Sequence, residues 1–271
     1  MPPLFITWNP SPEIFSIANF AVRWYGLLFA SSFVFGYIIM QQIFRKEGIP
    51  IKLLDSLTTY MIIGTVVGAR LGHVLFYEPK WYLSHPVKIL EIWEGGLASH
   101  GAAIGIILTL VIFSYIKKKP FLWVIDRIVI VVALSGFCIR MGNLMNSEIY
   151  GNVTAMPWGF YFVRSNIPAE ALEPRHPTQI YEALSYFAIF LYLLWHYYHK
   201  NGKPASGFLF GMFLILVFGI RFFIEFLKVP QVSFERGMTL NMGQLLSIPF
   251  VIAGIVLVLR AKKLPAKPEV P

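Results

Sequence analysis

The sequence predicts an all-α polytopic membrane protein of seven transmembrane helices, with its N-terminus outside and its C-terminus cytoplasmic. A small outer cap is expected between the fourth and fifth helices. Three observations predict this. Hydrophobic residues make up 56% of the 271 and charged residues only 14%, against roughly 25% charged in soluble domains, and the mean hydropathy is +0.63. Seven stretches approach the ~20 mostly apolar residues that a spanning helix needs. The basic residues fall mainly into every second connection.

The seven segments are Ala18 to Phe44, Ser56 to Tyr77, Leu97 to Ile116, Phe121 to Met141, Thr178 to Tyr198, Gly207 to Leu227 and Met242 to Leu259. Arg23 and Gly95-Gly96 blur the outer ends of the first and third. Arg45, Lys46 and Lys52 follow the first segment, Lys117, Lys118 and Lys119 the third, Lys200 and Lys203 the fifth, and Arg260, Lys262, Lys263 and Lys267 the seventh. The alternate connections are poorer in positive charge, with Arg23, then Lys80 and Lys88, then Arg164 and Arg175, then Lys228 and Arg236. The positive-inside rule therefore sets the orientation. The net charge of +9 reads as topological charge facing anionic lipid, and no nucleic-acid partner is needed to explain it.

The N-terminal stretch MPPLFITWNPSPEIF lacks the basic region and small-residue site of a cleavable signal. The connection Gly142 to Pro177 is long, contains Pro157, Gly159, Pro168, Pro174 and Pro177 around the aromatic stretch WGFYFV, and is expected to form the outer cap. The whole chain reads as one integral membrane domain. The single cysteine, Cys138, lies in an apolar run and reads as a small buried hydrophobe.

Ionisable residues inside spanning segments are costly and mark function by default. With the topology applied, Arg23, Arg70, His73, His100, Arg140, Glu182, Arg221, Glu225 and Gln244 all fall near the outer ends of the helices, in one layer. Arg221 and Glu225 have the i,i+4 spacing of a helical pair. Glu182 can pair with Arg70 or Arg140, and the sequence does not choose. Snorkelling to the interface is the plain alternative for any single arginine, but it is weaker for Arg70 and Arg221, a turn or more inside their apolar runs. Arginine forks suit phosphate, and the phosphate available at this depth is a lipid headgroup.

The densest polar run is Arg140-Met-Gly-Asn143-Leu-Met-Asn146-Ser-Glu148-Ile-Tyr-Gly151. It resembles the signature G-R-x-G-N-x-x-N-x-E-x-x-G of the bacterial prolipoprotein diacylglyceryl transferases, departing at Ile139, where that pattern has glycine. Further blocks resemble the family in the same order: Arg23-Trp24-Tyr25-Gly26, Gly68-Ala69-Arg70-Leu71-Gly72, Trp93 to Leu97 with Ser99-His100-Gly101, His176 to Glu182, Arg221 with Glu225-Phe226, and Met242-Gly243-Gln244. A tyrosine often found before the sixth-helix arginine is absent, and Phe218 stands in that neighbourhood.

The resemblance implies transfer of the diacylglyceryl group of phosphatidylglycerol to the lipobox cysteine thiol of a prolipoprotein signal peptide, the first step of lipoprotein maturation. It implies residence in the bacterial inner membrane, with the site toward the outer, periplasmic leaflet. It maps essential roles to His100, Arg140 and Arg221, with His100 the leading candidate base. Tyr25, Asn143, Asn146, Glu148, Gly151, Arg70, Glu182 and Glu225 are expected to bind or position the lipid. The partners are phosphatidylglycerol, the signal peptide and membrane lipid. No cofactor and no metal are expected: there is no HExxH run, and the two aspartates, Asp55 and Asp126, are far apart in sequence. The rival reading is a transporter or flippase for an anionic lipid. It is disfavoured because paired broken helices and midplane charges are missing.

Overall fold

The computed structural model describes residues 5–17, 20–229 and 238–263. Eight α-helices lie within them: α1 (Trp24–Lys46), α2 (Ile51–Phe76), α3 (Pro79–Ser84), α4 (Ser99–Lys117), α5 (Phe121–Met145), α6 (Thr178–His199), α7 (Phe208–Ile224) and α8 (Met242–Lys263). Six are long and apolar enough to cross a membrane: α1, α2, α4, α5, α7 with the 3-10 turn after it, and α8. Helix α6 has 22 residues, but Thr178, Gln179, Glu182 and its tyrosines and histidines reduce its apolar content.

Several boundaries differ from the sequence expectation. Ala18 lies outside the described residues, and Phe20–Arg23 is a strand, so the first helix starts at Trp24. The fourth long helix continues to Met145, which places Arg140 more than a turn inside it. Arg236 and Lys267, used to read the orientation, also lie outside the described residues.

The fold is mostly helical, not all-α. Strand β1 (Ile6–Trp8) pairs in parallel with β4 (Phe160–Phe162), and β2 (Glu13–Ile17) pairs antiparallel with β3 (Phe20–Arg23). These short strands satisfy backbone groups that cannot join a helix. They were not legible because each spans only three to five residues.

The chain forms two compact units. One comprises Met40–Ile125; the other takes the residues up to Ile39 and from Asp126 onward. Within the Met40–Ile125 unit, α2 and α4 meet through glycines. A Cβ built on Gly68 would lie 2.5 Å from the Gly101 carbonyl oxygen and 2.8 Å from Gly105 Cα. Gly64 and Gly72 face Gly105 and Gly101 in the same way. This is the small-xxx-small packing of membrane helices, in which backbone contact replaces the hydrophobic drive that lipid removes.

In the larger unit, α7 and α8 approach at Gly211 and Gly254, each tight against the other's carbonyl oxygen. Asp126 is fully buried and accepts the N–H groups of Gly207 (2.7 Å) and Phe210 (2.8 Å), capping the start of α7 from another helix. The connection between α5 and α6 folds with β1. Leu144, Phe160 and Phe162 form its core, Trp8, Met141, Tyr150 and Ile180 pack on it, and the Trp8 indole donates to the Leu144 carbonyl at 2.9 Å.

Candidate active site

In the larger unit, side chains from α5, α6, α7 and the segment after α7 join in one buried charged chain. On α5, Arg140 Nε lies 2.9 Å from Glu182 Oε2 on α6. Glu182 is fully buried, and its Oε1 accepts from Lys228 Nζ at 2.9 Å. Lys228 also donates to Glu225 Oε1 at 3.2 Å, and Arg221 Nε stands 3.6 Å from that same oxygen. Glu225 Oε2 accepts from Asn241 Nδ2 at 3.2 Å. The order is Arg140, Glu182, Lys228, Glu225, Arg221: three cations separated by two carboxylates. Buried charges persist only when paired in this way.

The side chains are exposed to different degrees. Lys228 is 3% exposed, Arg140 15% and Arg221 37%. Lys228 and the mostly buried Arg140 therefore serve the interior of the network, while Arg221 reaches its accessible side. Glu182 faces Arg140, which settles the choice that the sequence left open. The i,i+4 pair of Arg221 with Glu225 is present.

The signature run holds the other end. Arg140 Nη1 donates to Asn143 Oδ1 at 3.1 Å, and Asn143 Nδ2 donates to Glu148 Oε1 at 2.8 Å. Asn146 Nδ2 reaches the same oxygen at 3.2 Å. Gln179 donates to the Glu148 carbonyl at 2.7 Å, and the Thr178 hydroxyl to the Ile149 carbonyl at 2.9 Å, tying the run to the start of α6. Gly151 is needed for close approach: a Cβ there would meet the Leu227 carbonyl oxygen at 2.6 Å and His176 Cβ at 2.7 Å. Asn152 N–H donates to that Leu227 carbonyl at 2.7 Å, so the run also fixes the chain that carries Lys228. Ile139 sits in regular helix and needs no special backbone.

Tyr25, at the start of α1, packs on Gly142 and lies within electrostatic range of Glu148 and Arg140. Two cavities of about 430 and 420 Å³ adjoin this end, and Arg23 and Asn146 line both. Tyr25 lines the second and Glu148 the first. Arg23 itself pairs loosely with Glu13 at 3.5 Å, both well exposed. Gln244 opens α8 and exchanges hydrogen bonds with the Asn241 backbone N–H and side chain, at 3.0 and 2.9 Å.

Asn241, Lys228 and Tyr186 are members that the sequence pattern does not single out. By sequence Lys228 is one of the connection lysines; the signal of its role is a charged residue three positions after Glu225. Tyr186, on α6, interacts with both Arg140 and Arg221. Phe218 offers no hydroxyl and stacks on Phe250 at 4.3 Å.

Arg70, His73 and His100 belong to the Met40–Ile125 unit. Arg70 is buried, and its guanidinium donates to backbone carbonyls: Ile89 at 2.9 Å, Gly95 at 2.7 Å, Gly96 and Glu91 at 3.2 Å, and Lys88. These bonds occupy the fork expected to hold lipid phosphate. His73 stacks on Tyr77, with ring centroids 5.4 Å apart. His100 is exposed in the first turn of α4, its ring against Phe76 and Tyr77 at 5.5 and 5.7 Å.

A family model described as prolipoprotein diacylglyceryl transferase matches residues 12–260. The chain is 52% identical to a phosphatidylglycerol–prolipoprotein diacylglyceryl transferase of Tolumonas auensis, over 94% of this chain and 97% of the relative. It is 46% identical to the protein of that name in Porphyromonas gingivalis, over 97% of each. The one from Chloroherpeton thalassium is 43% identical, over 96% of this chain and 95% of the relative. The signature residues that anchor the buried charged chain are thus found in a sequence matched along almost its full length, and this chain belongs to the prolipoprotein diacylglyceryl transferase family.

Proposed function

We propose that this chain transfers the sn-1,2-diacylglyceryl group of phosphatidylglycerol to the lipobox cysteine thiol of prolipoprotein signal peptides. The observation that carries the reading is the ion-paired chain from Arg140 to Arg221, two arginines held by buried carboxylates, Arg140 mostly buried and Arg221 about one-third exposed.

The reaction is a displacement at carbon. The substrate thiolate attacks the diacylglyceryl carbon that bears the phosphate ester oxygen. A C–S bond forms as the C–O bond breaks, the electron pair leaves on oxygen, and glycerol phosphate departs with one more negative charge than it carried as a diester. Arg140 and Arg221 stabilise that charge through fixed guanidinium donors. Glu182, Glu225 and Lys228 hold the arginines in place, and Asn143, Asn146, Glu148 and Tyr25 orient the headgroup side. Gly151 lets the signature run close against the Lys228 segment. A thiol is mostly protonated at neutral pH, so a base must accept its proton, and His100 is the candidate. The nucleophile belongs to the substrate, and Cys138, buried, has no part in the step. Lipid, thiol and base balance the reaction without a cofactor.

In this reading α6 is the seventh spanning helix, and the distribution of lysine and arginine sets the N-terminus outside and the C-terminus in the cytoplasm. The α5–α6 connection is then an outer cap, the site faces the outer leaflet, and the membrane is the bacterial cytoplasmic membrane. Cysteine labelling from outside should reach position 164, and labelling near Lys118 and Lys262 should require access from the cytoplasm; label entering at 164 only from the cytoplasm would overturn the orientation. The reaction is tested by donor choice. Purified protein with a lipobox peptide should release glycerol phosphate from phosphatidylglycerol and give no turnover with phosphatidylethanolamine. Equal turnover of both lipids would contradict a site built to hold an anionic headgroup.

A further inference from the structure

The segment between α2 and α4 is built inside out for an aqueous loop. Four of its apolar side chains stand in the open: Leu83 is 79% exposed, Trp93 76%, Leu90 73% and Val87 71%. Five of its backbone carbonyls, on Lys88, Ile89, Glu91, Gly95 and Gly96, turn inward and converge on the buried guanidinium of Arg70, which also stacks on Tyr82 at 4.9 Å. Gly95 and Gly96 adopt positive φ, 93° and 68°, which bends the chain back to make this possible.

In water, loop carbonyls are satisfied by solvent and apolar side chains turn inward. Hydrocarbon reverses both preferences, because it leaves any unsatisfied carbonyl without a partner. The segment also starts where the exposed apolar face of the spanning helix α2, with Leu75 and Phe76, ends. It carries Trp81 and Trp93 beside Lys80 and Lys88, the pairing of aromatic and basic residues that settles at a membrane–water boundary.

We propose that residues 79–93 form an interfacial anchor whose occupant is membrane lipid, and that the Arg70 carbonyl cage is what allows this backbone to lie there. Leu83, Val87, Leu90 and Trp93 enter the lipid, and Arg70 positions the anchor instead of binding substrate phosphate. The inference rests on α2 spanning the membrane and is independent of the transfer chemistry.

The test uses the full chain with Cys138→Ser in nanodiscs of phosphatidylcholine, with and without phosphatidylglycerol. Single spin labels are placed at Leu83→Cys, Val87→Cys and Leu90→Cys, with Ile63→Cys on the exposed face of α2 and Glu170→Cys as controls. Labels at 83, 87 and 90 should be more accessible to oxygen than to a water-soluble nickel chelate, as at 63, while 170 shows the reverse. Nickel accessibility at 83, 87 and 90 equal to that at 170 would overturn the proposal. Protection that arises only when a lipobox peptide is added would also overturn it, and would make the face a peptide-docking surface. Adding Arg70→Met should raise nickel access at 83, 87 and 90 while 63 stays in lipid. Unchanged access in that variant would remove Arg70 from the account. Turnover plays no part in the readout, so failure here and failure of the transferase reading are separately visible.

Discussion

Replacing Lys228 with methionine removes a cation shared by two buried carboxylates. Its Nζ lies 2.9 Å from Glu182 Oε1 and 3.2 Å from Glu225 Oε1, with the lysine side chain only 3% exposed. At an effective dielectric constant of about 20, each attraction is about 5 kcal/mol before desolvation is subtracted. Truncating one member of a buried pair typically costs about 3–5 kcal/mol. Here the lower end is expected, because Glu182 keeps Arg140 and Glu225 keeps Arg221 and Asn241. The functional effect should be larger than the structural one. With Lys228 gone, the arginines are the only cations left to the two carboxylates among the described residues, and they shift from the positions at which they meet phosphate. Misplaced electrostatic donors lose most of the ~10²–10³ in rate that a fixed donor supplies. We expect kcat for Lys228→Met to fall at least ~10-fold, with KM for the peptide little changed, and Lys228→Arg to recover part of the loss. The assay is steady-state glycerol phosphate release in detergent, with thermal denaturation followed alongside. Wild-type kcat and stability in Lys228→Met would refute the network, as would Lys228→Arg that folds normally but is as slow as Lys228→Met.

The arginines themselves should tolerate little: Arg140→Lys and Arg221→Lys, which keep charge but lose the planar fork, should each lose ~10²–10³ in turnover without loss of fold, read by kcat and thermal stability together. A pH–rate profile of His100→Gln should show activity lost near neutrality and partly regained toward the thiol pKa of ~8.5, a recovery that the arginine variants lack; a defect constant across pH would move the base elsewhere. Gly68→Leu should destabilise the Met40–Ile125 unit by at least ~1–3 kcal/mol, because the new Cβ would lie 2.5 Å from the Gly101 carbonyl oxygen. Gly219→Ala, with nothing within 4 Å of its Cβ, should be neutral or mildly stabilising in the same thermal assay.

The long helices were legible because apolar length has one physical outcome in lipid. The i,i+4 spacing of Arg221 and Glu225 was legible because helical geometry is local. What escaped depended on contacts distant in sequence. The β1–β4 pair joins residues about 150 positions apart, and short strands carry little pattern of their own. The choice of Arg140 over Arg70 as the partner of Glu182 is tertiary, and so is the diversion of Arg70 to five carbonyls. The role of Lys228 is hidden from the positive-inside rule, which counts lysines without regard to where they point, and this one turns inward between two carboxylates. Gly64, Gly68 and Gly72 stand four residues apart, a spacing the sequence analysis does not use, and only their approach to Gly101 and Gly105 shows that they set the distance between α2 and α4.

The central claim is that this chain makes a carbon–sulfur bond to a lipid-derived glycerol. The most direct measurement is the intact mass of a lipobox peptide after incubation with the purified protein and phosphatidylglycerol. The transferase account predicts a peptide heavier by one diacylglyceryl group, resistant to hydroxylamine as a thioether must be, with one glycerol phosphate released per adduct, and none formed when the peptide cysteine is replaced by serine. A peptide of unchanged mass beside phosphatidylglycerol moved between leaflets would contradict it and make the charged chain from Arg140 to Arg221 part of a lipid transporter.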